Sequence, residues 1–567
     1  MQIERAMPPD SERLTRVPVC RTTLWLLPLL VAFAAPAAAQ DPANSYALPA
    51  PPSSTHSLSG VVVNSVTGEP VRRALVQVVG SSAGGNPVSV LTDPEGRFEF
   101  PALPESELVL AARKPGFFND LELHPELYQP EIVHLGSDTS SLVLKLLPEG
   151  AIVGHVATLK GEPIEDSRVR ILEERIVDGR KLWQERGQAM TDEDGQFRVA
   201  NLIPGRYLLV TGPNLSGARL PFGQRRSART EGFGSMFYPG VPEMEAATPL
   251  VIAGGQQVQA DFALKAGPIF KVSGVVLGLA SGISANLQVL SKAGDMVPVN
   301  LQMPAGKFEA RVPSGTYVLQ LRATDSSGQV MLSELPLVVN ADVEGVSLAL
   351  GSPITLPVNV DLRLTQAAEA QNSLNGQPAK AYGISSVRLI SAEKRLQAEE
   401  FQADRNEKSG ALAVHNLSPG RYSVEVAAAP PWYVRALTSG TTDLLREDLV
   451  ISSGRRPEPL EVVLRDDGAG LRGLIRADGQ PAAGTVLLFS EQASLAHAQI
   501  AVAQTGAEFL FTGIAPGEYN LLAFESMDGL EFRNPEALSP YLSKAVAITL
   551  QANQTANINL ERISRGK

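Results

Sequence analysis

Along most of the chain, apolar and polar residues alternate with a period of two in short runs broken by Gly, Pro, Asn and Asp. That is the pattern of half-buried strands joined by tight turns. Runs such as YLLV at 207–210, YVLQL at 317–321 and YSVEV at 422–426 are rich in β-formers. The phrases that end on the first residue of such runs, LPESEL, LIPGRY, VPSGTY, LSPGRY and IAPGEY, begin at 103, 202, 312, 417 and 514. In most of them Pro-Gly or Ser-Gly stands between two apolar stretches, a tight connection between strands.

The pattern also repeats over a longer distance. TDPEGRFEF at 92–100 returns as TDEDGQFRV at 191–199, PAGKFEARV at 304–312, EKSGALAVH at 407–415 and TGAEFLF at 505–511. Aligned on the residue after the turn, these give Phe98, Phe197, Phe308, Leu412 and Phe509, spaced by 99, 111, 104 and 97 residues. A second column, Leu108, Tyr207, Tyr317, Tyr422 and Tyr519, follows at offsets of 10, 10, 9, 10 and 10. Upstream, SGVVVNSVTGEPVRRALVQV at 59–78, VGHVATLKGEPIEDSRVRI at 153–171 and RGLIRADGQPAAGTVLL at 472–488 share a strand, a Gly-x-Pro turn and an alternating strand. The third copy keeps SGVV at 273–276 without the Gly-x-Pro turn, and the fourth has Gly376-Gln377-Pro378 without a clear Gly-bearing opening strand. A fixed period of this length is the mark of repeated domains. The fold expected is all-β, a tandem array of about five β-sandwiches.

The expected divisions are 56–148, 149–266 with a long loop, 267–352, 353–466 and 467–567. Before them, residues 1–40 carry Arg5, Arg13, Arg16 and Arg21, the run LWLLPLLVAFAA and Ala37-Ala38-Ala39, the layout of a secretory signal peptide. The run contains Pro28 and is shorter than the ~20 residues a membrane span needs. The Pro-rich stretch 41–55 reads as a linker. No later segment is long and apolar enough to cross a membrane, so the mature chain is expected to be exported to the periplasm or the cell exterior.

Charge and cysteine narrow the classes further. Without the first forty residues, 45 basic side chains face 57 acidic ones, an imbalance that repels nucleic acid. The single cysteine, Cys20, lies before the apolar run, so hydrophobic burial must hold the mature domains without disulfides.

The order strand, Gly-x-Pro turn, alternating strand, T-D-x-x-G-x-F, x-L-x-P-G-x-Y resembles the carboxypeptidase regulatory-like domain, a transthyretin-like sandwich of the immunoglobulin-like kind. FYPG at 237–240, GGQQVQADFAL at 254–264 and PPWYVRAL at 430–437 are similar to tandem versions of that domain in exported bacterial proteins. The resemblance implies fold, and it also invites comparison with sugar-binding sandwiches and with adhesin sandwiches that cross-link Lys to Asn beside a Glu four residues after the Tyr. Here Glu425 stands three residues after Tyr422, and strand alternation turns a residue at that offset to the opposite face.

Catalytic patterns are not met. None of His56, His124, His134, His155, His415 and His497 has Glu three residues later, as a zinc carboxypeptidase pair would need. Gly80-Ser81-Ser82-Ala83-Gly84 has the Gly-x-Ser-x-Gly spacing, but it follows an alternating strand within the β repeat and no helix pattern follows it, as a nucleophile elbow would need. The acids of TDEDG invite a calcium reading, but the other copies replace them, and a turn with Gly at positive φ accounts for all five. No catalytic residue, metal or cofactor is therefore expected. Two candidates for ligand contact remain. One is Arg219, Arg225, Arg226 and Arg229 in the long loop, suited to an anionic sugar or partner unless the loop is only a solvated one. The other is Trp432 with Tyr433, suited to stacking on a sugar unless they are packing residues. The expected role is a non-catalytic binding module, with a polysaccharide or an envelope protein as partner. The alternative is a structural or adhesive spacer.

Overall fold

In the computed structural model the described residues are 55–567, except 80–87, 105, 124–131, 136–138, 216–229, 281, 327, 329, 352–353, 366–382, 393–398, 407–408, 453–454, 504–505 and 566–567. The leader at 1–40, nearly all of the linker, Gly376-Gln377-Pro378 and the four candidate arginines lie outside them.

One sandwich is built five times. Its opening strand is Thr55–Asn64, Gly150–Thr158, Gly267–Leu277, Ile354–Arg363 or Ala469–Ala477. In the last four copies this strand pairs antiparallel with the strand carrying the first repeat column, for instance Gln196–Leu202 or Lys307–Pro313. In all five it pairs parallel with a closing strand. The facing sheet joins the strand after the Gly-x-Pro position to the strand of the second column: Leu75–Val79 with Ser106–Arg113, Arg168–Val177 with Gly205–Thr211, Ser284–Ser291 with Gly315–Thr324, Ile384–Ser391 with Gly420–Ala428, and Gly484–Phe489 with Gly517–Phe524. Each pair of sheets encloses its own apolar core.

The acid-and-glycine phrase is a turn. Asp93 Oδ1 accepts from the Arg97 N–H at 2.7 Å, Asp192 Oδ1 accepts from Gln196 N–H at 2.8 Å, and Gly96 and Gly195 both sit at φ +73°. The preceding threonine is buried and does separate work. Thr92 Oγ1 donates to Val71 O at 2.6 Å and accepts from Ala74 N–H at 2.8 Å; Thr191 does the same with Ile164 O and Ser167 N–H at 2.6 and 2.8 Å. The threonine thus ties this turn to the chain that follows Gly-x-Pro.

The first column packs on a glycine of the opening strand. Phe197, Phe308 and Phe509 stand opposite Gly154, Gly274 and Gly473 in the ladder. A Cβ on Gly60 would come within 2.7 Å of Phe98 Cζ, and one on Gly274 within 2.9 Å of Phe308 Cζ. On the other side of the same glycines a carbonyl of the closing segment occupies the space: Leu142 O, Ala260 O, Val346 O and Ile558 O would each collide with a side chain. In the first and third copies the parallel ladder shifts register just before the glycine, a bulge that pushes the carbonyl inward. The fourth copy lacks the glycine because it lacks both conditions. Leu412 replaces Phe and stands opposite Val358, and the parallel ladder from Val358 to Arg363 runs without a shift.

The second column closes the turn behind it. The hydroxyls of Tyr207, Tyr317, Tyr422 and Tyr519 donate to the carbonyls of Ile203, Pro313, Ser418 and Ala515 at 2.6, 2.8, 2.8 and 2.8 Å. Each ring fills the core while its tip satisfies the turn four residues upstream, as in the tyrosine corner of immunoglobulin sandwiches.

Gly274→Ala should destabilise the third sandwich by about 1–3 kcal/mol through overpacking, whereas Gly234→Ala, outside the left-handed region and with nothing nearer its Cβ than 3.9 Å, should cost less. Differential scanning calorimetry of the two variants checks the order, and equal losses would contradict the packing account.

Candidate functional site

The second sandwich carries a long hairpin, Arg168–Val177 with Arg180–Met190. Its two-residue turn is Asp178-Gly179, at φ +48° and +70°, the conformation that Asp-Gly favours between twisted strands. The tip meets two sandwiches far away in sequence. Gly179 lies against Phe532, whose ring would be 2.5 Å from any Cβ placed there, and Gly179 O accepts from Arg533 N–H at 3.2 Å. Arg533 is fixed because Leu530, Phe532 and Leu538 anchor its segment on Leu487, Leu522 and Phe524 of the fifth sandwich.

At this junction charges interlock. Arg180 Nη2 donates to Glu425 Oε1 at 2.7 Å, and Arg388 Nη2 donates to Glu425 Oε2 at 2.6 Å. Arg533 Nη1 stands 3.3 Å from Glu425 Oε1, its Nη2 donates to Asp178 Oδ2 at 2.9 Å and its Nε to Asp178 O at 2.7 Å. Arg533 Nη1 also donates to Ala496 O and to Leu495 O. One carboxylate of the fourth sandwich is therefore shared by arginines of the second, fourth and fifth. The side chains of Glu425 and Arg533 are 11% and 10% exposed, so neither is screened by water as a surface pair would be.

Burial alone pushes the Glu425 carboxyl up. The charges of Arg533 and Arg180, with the Arg180 hydrogen bond and Arg388 behind them, outweigh it and hold the group below its ordinary value. For Arg533, burial and the neighbouring Arg180 lower the guanidinium more than Glu425 and Asp178 raise it. His497 lies beside the junction, where burial lowers its pKa, partly offset by its bond to Leu444 O at 3.1 Å. A carbonyl only accepts, so His497 Nε2 carries the proton.

Two cavities flank Arg533. One of about 470 Å³ lies between the fourth and fifth sandwiches and is walled by Arg388, Glu425, Trp432, His497 and Arg533. The other, about 850 Å³, is bounded by the second, fourth and fifth and is walled by Arg180, Trp183, Arg206, Ser391 and Arg533 among others.

The sequence candidates fall as follows. Trp432 is half-buried and packs against the fourth core. Tyr433 is 4% exposed. Its hydroxyl donates to Asp467 Oδ1 at 2.9 Å, and burial followed by that bond pushes its pKa up to about 12. The pair therefore does not form a flat exposed face. Arg219, Arg225, Arg226 and Arg229 are outside the described residues. Glu425 points away from Tyr422, which is buried in the core, and into the junction. The junction residues Asp178, Arg180, Arg388 and Arg533 were not among the sequence candidates. The only local signals were the Asp-Gly turn and the extra segment after the Tyr519 strand. Among the described residues no group of His, Cys, Asp and Glu is arranged to hold a metal ion, and no helix is long and apolar enough to cross a membrane.

The fold defines a tandem all-β protein of immunoglobulin-like sandwiches. Within it, residues 57–120 match the family model described as the carboxypeptidase regulatory-like domain. A search of curated proteins gives no match. Among solved structures the chain is similar to the Bacillus anthracis TIE protein at 15% identity and a TM-score of 0.17, over 52% of this chain and 50% of that one. It is also similar to the minor pilin of Streptococcus agalactiae at 15% identity and a TM-score of 0.19, over 37% and 95%. The shaft pilin SpaA from Lactobacillus rhamnosus GG gives 10% identity and a TM-score of 0.20, over 38% and 98%.

Glu425→Gln should leave Arg180 and Arg533 without a full counter-charge and weaken the junction by about 3 kcal/mol, speeding exchange of the Arg533 amide on the order of a hundredfold. Both depressed groups act in the same direction with pH. Glu425 and His497 bind protons more readily when unfolded, so their stabilisation is whole above about pH 6.5. The His497 share fades as pH falls below that value, and the Glu425 share below about pH 4.5. Hydrogen exchange of the hairpin tip across pH 8 to 4 reads this, and tighter protection at low pH would contradict it.

Proposed function

We propose that the chain is an exported, non-catalytic recognition module of the periplasm or the cell exterior, in which five sandwiches, divided near residues 149, 267, 353 and 467, form a scaffold that holds clefts. The observation that carries this reading is the junction itself, where Arg180 and Arg533 meet Glu425 and Asp178 across 245 and 355 residues of sequence. An array built for reach needs each repeat to touch only its neighbours. Docking the second sandwich on the fourth and fifth gives up reach and encloses space, which favours ligand recognition over a plain spacer. The finer reading is carbohydrate as the ligand. The rival, an adhesive spacer or a protein-interaction component of the envelope, is separated from it by whether the docking persists in solution.

Spin labels on Lys181→Cys and Glu536→Cys, both at the rim of the larger cavity, should give one short, narrow distance by double electron–electron resonance. Arg533→Ala should broaden it. A broad distribution in the otherwise unaltered chain would favour the spacer.

A further inference from the structure

The larger cavity has a wall unlike the apolar face of a core. Trp183 stands on the strand Arg180–Met190, at the edge of its sheet and directly opposite Glu174. Its ring is half-buried and packs beside Met244 and Ala247 on the cluster of Leu172, Leu208 and Phe237, so the indole is held rigid while also lining the cavity. Around it charges are paired. Glu174 Oε2 lies 3.3 Å from Lys181 Nζ and 3.6 Å from Arg206 Nε, Arg180 is held by Glu425, and Arg533 by Asp178.

We propose that this cleft, with Trp183 as its platform, binds a neutral oligosaccharide. The inference rests on the recognition reading above and names its site and ligand class. The wall carries four cations, Arg180, Lys181, Arg206 and Arg533, and four carboxylates, Glu174, Glu245, Glu531 and Glu536, so no surplus of either sign selects a charged ligand. Lys181 and Arg206 share the single carboxylate of Glu174 beside the indole, which disfavours placing a further cation on that ring. What remains is the half-buried indole of Trp183 with donors and acceptors on the same wall: Lys181, Arg206, Glu174, Ser391 and Ser494. A pyranose has the matching surface, with C–H bonds on one face for the electron-rich indole and hydroxyls at the rim that both donate and accept. At about 850 Å³ the cleft lies within the range of roughly 300–1,000 Å³ usual for small-ligand sites.

The test titrates the full chain separately with maltohexaose, cellohexaose, xylohexaose and chitohexaose, with oligogalacturonate and spermidine as charged probes, and reads tryptophan fluorescence and saturation-transfer NMR. At least one neutral hexasaccharide should bind. Trp183→Ala and, independently, Arg206→Ala should each weaken it by about tenfold or more, while Trp432→Ala stays within about twofold. No binding of any neutral probe, binding of a charged probe alone, or undiminished binding by Trp183→Ala would overturn the proposal. The spin-label distance, recorded on separate labelled samples while the sugar titrations use the unlabelled chain, separates the two failures. A narrow distance without sugar binding defeats this inference only, and a broad one defeats the recognition reading beneath it.

Discussion

A carboxylate removed from water must find partners, and Glu425 finds them on three sandwiches at once. Its oxygens take Arg180 from the second, Arg388 from its own and Arg533 from the fifth. Leaving any of these charges buried without a counterpart costs far more than an apolar mismatch of the same size. The junction therefore acts chiefly on specificity. Apolar docking tolerates sliding, whereas a shared carboxylate with hydrogen bonds of 2.6 and 2.7 Å fixes one register. Phe532 against Gly179 supplies the apolar part of the same contact, and a side chain at Gly179 would push the hairpin tip off it.

Other neighbouring sandwiches are joined in the same manner. Between the second and third, Arg170 Nε lies 2.9 Å from Asp295 Oδ1, with Ser235 donating to Asp295 Oδ2 at 2.8 Å. Between the fourth and fifth, Tyr433 reaches Asp467, which also takes Arg465. Each joint uses a carboxylate held by donors from more than one element. The repeated cores make the sandwiches, and these polar joints decide how neighbours meet. Clefts then arise as a consequence of docking, and the two tryptophans of the described residues, Trp183 and Trp432, line the two that flank Arg533.

Much of the fold was legible because it repeats. The Phe and Tyr columns, the Gly-x-Pro turns and the T-D-x-x-G turns are local devices, each readable within about a dozen residues. The glycines of the opening strands were visible as letters, but their reason was not, since it lies in a carbonyl that arrives from about seventy to just over a hundred residues downstream, such as Ala260 O at Gly154. For the same reason the fourth copy looked incomplete. Val358 with Leu412 is a different filling of the same space. The junction was largely hidden. Arg180, Glu425 and Arg533 come from separate repeats, and no periodicity links residues whose only relation is that their domains dock. Aromatic identity alone also drew attention to Tyr433, which is buried and bonded to Asp467, because composition does not tell a core ring from an exposed one.

The most direct measurement of the docking claim is a double-mutant cycle between Arg180→Met and Glu425→Gln, read as protection of the Arg533 amide from hydrogen exchange. Residues in direct contact across a docked interface should show a coupling of about 1–3 kcal/mol. Effects that simply add would mean that the second sandwich does not rest on the fourth and fifth, and the account built on that contact would fall.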